Sequence, residues 1–292
     1  MADTNSAEAP SFVEGPLGPF ALPVLNGPSG EAVSTAWRDR GGFVLHGVVP
    51  PDVCDSVVEA LNAHIIAADA ADKAQPWPTA FGDRLIASGS SVVPFWDPTV
   101  AADLPPTERL MRLGHQLQQL PEVGQVLRRP EIVGCIGVLL KSPQLVNCVL
   151  IDKVPGGTVQ FSSHQDSWYL LSEPDTLISL QIALDDTDEE NGCLHVQGKA
   201  ERDPVTCRAV LGRTGWKTTR ETQPPPPDAD VPPLPLARGS VLLYHGRVWH
   251  GSRVNTSNRH RRIIVAQFKE ASSTWLPENW LTAPPGGFPS WR

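Results

Sequence analysis

The chain has 292 residues, 40% of them hydrophobic, with a formal net charge of −8 and a pI near 5.5. That acidity argues against a nucleic-acid partner held by bulk electrostatics, and no stretch of roughly 18 apolar residues offers a membrane span. The length and apolar content suit one soluble, β-rich domain over residues 1–292, as a monomer or homodimer. The opening Met1-Ala-Asp-Thr-Asn-Ser-Ala-Glu8 carries acids and no apolar core, unlike a secretory signal. Five cysteines at unpaired spacings suit free thiols in a reducing compartment, so the expected location is cytoplasmic.

Residues 1–30 are rich in Pro, Gly and Ala and are expected to form an arm that frays or packs late. Ser34 to Arg40 predicts a short helix, stopped by Gly41-Gly42 ahead of a strand running to Val49. Pro51-Asp52 opens a second helix, with Val53, Val57, Leu61 and Ile65 on one stripe. The aromatic, proline-punctuated segment 75–97, which includes Trp77 and Phe81, predicts a loop that covers a site. Helices are expected over Thr107–Gln119 and Pro121–Leu140, the second interrupted near Pro130. Strands then follow within 144–157, 177–184, 239–251 and 262–268. The irregular segment 199–235, with prolines at 224–227, is a candidate lid. Helices first and strands later predict a sheet backed by helices.

Two imidazoles and one carboxylate, His164, Asp166 and His250, make the facial set that leaves open positions on iron. Side chains two apart on extended chain point to one face, so His164 and Asp166 can chelate one ion. Arg261 reads as the clamp of an anionic co-substrate, since a guanidinium offers two parallel donors and stays charged when desolvated. On a regular strand Arg261 and Arg262 face opposite sides, so only one reaches the pocket. Zinc-dependent hydrolysis by the same triad would leave Arg261 without a role. Among the remaining histidines, His46 and His195 are expected in the core and His245 on the face opposite His250.

These residues sit in a consistent series: Lys153-Val-Pro-Gly156, His164-Gln-Asp166, Ser179-Leu-Gln-Ile-Ala-Leu-Asp-Asp186, Glu190-Asn-Gly-Cys-Leu-His195, and Trp249-His-Gly-Ser252 with Asn255 and Arg261. The series resembles the phytanoyl-CoA dioxygenase family of iron(II)- and 2-oxoglutarate-dependent oxygenases over residues 144–268. One departure is Gln197-Gly-Lys-Ala200, where such proteins often carry Pro-Gly-Ser-His. The resemblance implies a mainly β fold with α elements, a double-stranded β-helix of jelly-roll or cupin type backed by helices. It implies His164, Asp166 and His250 as metal ligands and catalytic centre, and Arg261, Ser252, Asn147 and Gln181 around 2-oxoglutarate. It also implies that iron(II), 2-oxoglutarate and O2 act together to oxidise a small molecule, with release of succinate and carbon dioxide.

Hydroxylation is the default outcome, with desaturation, epoxidation, ring expansion or endoperoxide formation open to the same oxidant. A small, mainly apolar specialised metabolite is expected in place of an acyl-CoA, because no basic cluster outside Arg259–Arg262 offers a diphosphate site. Trp168 shares strand parity with His164 and Asp166, which would place its ring beside the substrate with Trp77 and Phe81. Two other classes remain open: a non-catalytic jelly-roll binding protein, and a metal-dependent cupin-like enzyme that needs no 2-oxo acid.

Overall fold

The computed structural model of the chain describes residues 21–74, 92–114, 116–168, 170, 172–198 and 231–275. Trp77, Phe81 and most of the two candidate covering segments lie outside these residues. The strands in chain order are β1 (Val24–Leu25), β2 (Gly42–Leu45), β3 (Val93–Trp96), β4 (Leu110–Gly114), β5 (Pro143–Lys153), β6 (Phe161–His164) and β7 (Ser172–Glu173). They continue with β8 (Ile178–Ala183), β9 (Leu194–Gln197), β10 (Pro233–Leu234), β11 (Val241–His245), β12 (Trp249–Ser252), β13 (Arg261–Glu270) and β14 (Thr274–Trp275). Among the described residues they form an eight-stranded sheet in the order β1-β2-β11-β8-β13-β5-β4-β3 and a four-stranded sheet in the order β10-β9-β12-β6. Every pairing in these two sheets is antiparallel except β1 with β2. The result is the double-stranded β-helix, backed by helices α1 (Gly30–Arg40), α2 (Pro51–Ala74), α3 (Pro121–Leu127) and α4 (Pro130–Leu139).

Strand alternation decides what each face of the large sheet does. Leu180 and Ile182 of β8, Ile264, Ala266 and Phe268 of β13, and Leu145, Cys148 and Leu150 of β5 pack with Val33, Val57, Leu61, Ile132 and Ile136 of the helices. Each such aliphatic side chain contributes ~1.5–3 kcal/mol on burial, so this layer dominates the fold's stability. A register slip opposite Gln267/Phe268 pairs Gln267 with Asn147 and Phe268 with Leu145, leaving Val146 as an extra residue. That bulge turns Leu145 to the helices while Asn147 faces inward. The inner face is different in character, with Ser179, Gln181, Tyr244, Asn147, Gln267, Arg112, Lys153 and Arg261 among its apolar neighbours. A sheet face this polar inside a closed barrel is built for a ligand.

Local chemistry sets the element ends. α1 stops at Gly41, whose φ of 73° suits glycine and whose N–H donates to the Trp37 carbonyl at 3.0 Å. Along α2, Val57, Leu61, Ile65 and Asp69 share the buried stripe. Asp69 pairs there with the buried Arg109, whose guanidinium lies 3.9 Å above the Trp96 ring.

Several expectations are corrected. Thr107–Gln119 is not a helix; Leu110–Gly114 is a strand between short 3-10 turns. Leu110, Leu113 and Leu117 carry helical spacing, yet pairing with β3 and β5 overrides that weak preference. Residues of the expected N-terminal arm pair with β2 at Val24–Leu25, and Leu22 and Leu25 are buried. The segment 75–97 ends in β3, paired with β4, and the segment 199–235 ends in β10, paired with β9. His46 is exposed rather than in the core, while His195 is buried with Nδ1 2.9 Å from the Val231 carbonyl. No helix of the described residues is long and apolar enough to cross a membrane.

Candidate metal centre

His164 ends β6, and His250 stands directly opposite it on β12. Asp166 is not on the strand; it opens a 3-10 turn over Asp166–Trp168. The expected two-residue strand step therefore holds for His164 alone, and the turn delivers the carboxylate. This turn is pinned from the β11–β12 connection: the Ser167 N–H donates to the Gly246 carbonyl at 2.9 Å and Gln165 Nε2 to the Arg247 carbonyl at 2.5 Å. Asp175 supports both sides, accepting from Ser167 Oγ at 3.1 Å and from Arg247 Nε at 2.6 Å. The parity argument for Trp168 fails with the strand, and its side chain lies outside the described residues.

One atom from each of the three residues lies within 4.8 Å of the others. Asp166 Oδ1 is 3.7 Å from His164 Nε2 and 3.6 Å from His250 Nε2. Both rings turn their second nitrogen to the backbone: His164 Nδ1 lies 2.7 Å from the Ser162 carbonyl and His250 Nδ1 3.0 Å from that of Val248. Such carbonyls accept a hydrogen bond from Nδ1–H, which fixes the proton there and leaves the Nε2 lone pair inward. Burial opposes ionisation of Asp166, yet His250 and His164 outweigh it and hold the carboxyl well below the usual range. Asp166 Oδ2 accepts from Ser179 Oγ and, at 3.3 Å, from the Tyr244 hydroxyl. The carboxylate is thus held with Oδ1 toward both imidazoles, and the donor set suits a divalent first-row metal such as iron.

Arg261 begins β13 and is buried, its NH2 group 3.4 Å from Ser252 Oγ and its Nε without a hydrogen-bond partner among the described residues. Burial pushes it down to about 10, so the guanidinium is a desolvated cation turned inward. Arg262 faces the other way and grips Asp185 through Nε at 2.8 Å and NH2 at 2.6 Å. Ser252 is two residues beyond His250 on one face of β12, a step of roughly 7 Å. Gln181 Nε2 donates to Tyr244 at 2.8 Å, and Asn147 Nδ2 donates to Gln267 at 2.7 Å while its Oδ1 has no hydrogen-bond partner among the described residues. The structure therefore brings the triad, Arg261, Ser252, Asn147 and Gln181 to one interior.

A family model described as phytanoyl-CoA dioxygenase matches residues 37–263. The chain belongs to the phytanoyl-CoA dioxygenase family. It is 28% identical over 272 residues to phytanoyl-CoA dioxygenase domain-containing protein 1 of Danio rerio, covering 85% of this chain and 92% of the relative. Among solved structures it is similar to SnoK, a non-heme alpha-ketoglutarate-dependent carbocyclase from nogalamycin biosynthesis, at a TM-score of 0.56 and 19% identity, covering 85% and 87% of the two chains. The epimerase SnoN, in complex with Fe3+, alpha-ketoglutarate and nogalamycin RO, gives a TM-score of 0.56 at 18% identity, covering 85% and 86%. These likenesses are to the fold, the cupin-type double-stranded β-helix.

Four inward residues of this phytanoyl-CoA dioxygenase family member escaped the reading of its sequence or were undervalued by it. Ser179 and Tyr244 support Asp166, and each is a polar residue at alternate positions of an apolar strand, which is the signal that would have found them. Arg112 was hidden by the mistaken helix; burial pushes it down to about 10, with Asp166 opposing. Lys153 reads equally well as a solvated turn residue, but it is buried.

Proposed function

We infer that the protein is an iron(II)- and 2-oxoglutarate-dependent oxygenase that oxidises, by default hydroxylates, a small and mainly apolar organic molecule. The observation that carries this reading is the pairing of His164, Asp166 and His250 with a buried Arg261–Ser252 clamp one β-step away. That spacing is on the scale of a five-carbon diacid joined to the metal at one end. When bound, iron(II) with a 2-oxo acid and O2 supplies an oxidant able to break an unactivated C–H bond, and the acid leaves as succinate and carbon dioxide. His164, His250 and Asp166 Oδ1 would hold the metal through one face and leave the other open. Arg261 and Ser252 would orient the distal carboxylate, and Ser179 with Tyr244 would keep Asp166 from turning. Val149 and Ile263, buried on the inner face, keep water from that space.

A specialised-metabolite substrate fits better than an acyl-CoA. In the Arg259–Arg262 segment Arg259 is paired with Asp188, Arg262 with Asp185, and His260 with Asp152 and Glu108. Arg261, the remaining cation of this segment, faces the interior and serves the co-substrate in this reading, so the segment offers no further positive charge for a diphosphate. The test is oxygen uptake by iron(II)-loaded protein with and without 2-oxoglutarate, with succinate measured in parallel. Uptake that needs the acid and yields succinate supports the reading. Uptake without the acid identifies a cupin-like enzyme of another kind, and 2-oxoglutarate binding with no uptake under any substrate identifies a binding protein.

A further inference from the structure

Lys153 closes β5 directly opposite Arg261, and residues paired across antiparallel strands share a face. Two basic side chains thus stand side by side, Lys153 only 4% and Arg261 only 2% exposed. Burying like charges together is unfavourable until an anion joins them. Lys153 Nζ donates to the Val159 carbonyl at 2.7 Å and to the Arg253 carbonyl. Val159 precedes β6, which ends in His164, and Arg253 follows Ser252 at the end of β12. One amine therefore ties both histidine-bearing strands to the strand beside Arg261.

The groups around this amine come from several elements. Arg261 faces it from β13, Asp97 from the residue after β3, and the Phe161 ring of β6 lies 5.3 Å from Nζ. Asp152, next to it on β5, points to the opposite face and pairs with His260. Burial, with the charge of Arg261, pushes Lys153 down to about 6, and Asp97 opposes this. A neutral amine has two N–H bonds, and the two carbonyls use both. The third N–H exists only on the ammonium.

We propose that Lys153 becomes a cation beside Arg261 in the co-substrate pocket, taking up one proton from solvent as a dicarboxylate enters and offering that carboxylate its third N–H. The inference rests on the reading of Arg261 as the 2-oxoglutarate clamp. Its sign follows from linkage: Lys153 is neutral above about pH 6 in the unliganded protein, and the dianion favours the charged form. Affinity is then full below that value and falls by up to about tenfold per pH unit above it, until the liganded amine also loses its proton.

The experiment is calorimetric titration of 2-oxoglutarate into anaerobic, iron(II)-loaded protein at pH 6, 7 and 8, in buffers of different ionisation enthalpy. The expected result is uptake approaching one proton per ligand at pH 7, with an apparent Kd about tenfold weaker at pH 8 than at pH 7. Lys153→Met should show neither uptake nor pH dependence. Lys153→Arg, permanently charged, should show no uptake and keep its affinity at pH 8. Binding by the wild-type protein with no net proton overturns the proposal whatever the variants do, and so does a pH profile shared with Lys153→Met. Absence of 2-oxoglutarate binding by the wild-type protein at every pH would instead refute the clamp reading.

Discussion

Arg261→Ala and Arg262→Ala separate the pocket from the exterior of the same strand. Among the described residues Arg261 makes one weak hydrogen bond, 3.4 Å to Ser252, and its Nε has no partner, so its donors are open to a ligand. Removing a bidentate, charge-assisted contact from a closed pocket costs ~2–5 kcal/mol, which is roughly thirty- to several-thousand-fold in Kd for 2-oxoglutarate. Arg262 spends its fork on Asp185 at 2.8 and 2.6 Å on the opposite face. Its loss should cost about 1–2 kcal/mol of stability, because the pair is partly exposed, and should leave Kd unchanged. Arg261→Lys should recover only part of the affinity, since a point charge cannot reproduce the fork. The assay is anaerobic titration of 2-oxoglutarate into each iron(II)-loaded protein, with thermal unfolding alongside. A Kd that moves with Arg262 and not with Arg261 would refute the reasoning.

Replacing Asp166 with Ala removes the anionic ligand and should abolish stoichiometric iron(II) retention after desalting; retention equal to wild type would place the carboxylate elsewhere. Tyr244→Phe keeps the ring but loses the hydroxyl donor to Asp166 Oδ2. Iron(II) affinity by competition with a chelator should fall about ten- to a hundredfold, and an unchanged affinity would make Tyr244 a packing residue only. Asp69→Asn leaves the buried Arg109 uncompensated, at a cost of about 3–5 kcal/mol. Its melting temperature should drop by roughly ten degrees, and a drop under about two degrees would mean the pair contributes little.

The strands within 144–157, 177–184, 239–251 and 262–268 were legible because their apolar runs are long, whereas the short β7, β9, β10 and β14 carry too few residues to show a pattern. The first half was less so. Leu110, Leu113 and Leu117 fit a helix in isolation, and only the ladder to β3 and β5 makes a strand of them. The candidate metal ligands are chemically distinctive side chains, so their types and order pointed to the triad even though the strand step assumed for Asp166 does not hold. What supports them is ordinary chemistry in unusual places: a serine, a tyrosine and a lysine become significant only once a barrel buries them. Asp166 shows the same limit, since the short turn that aims it is held from Gly246 and Arg247, the latter 82 residues from Gln165 in sequence.

The most direct test combines metal content and succinate yield in one preparation. Protein loaded with iron(II) under argon should retain one iron per chain, and succinate should form only when both 2-oxoglutarate and O2 are supplied, with His250→Ala losing metal and succinate together. Tight retention of zinc in place of iron, with succinate no higher than in the His250→Ala protein, would contradict the account.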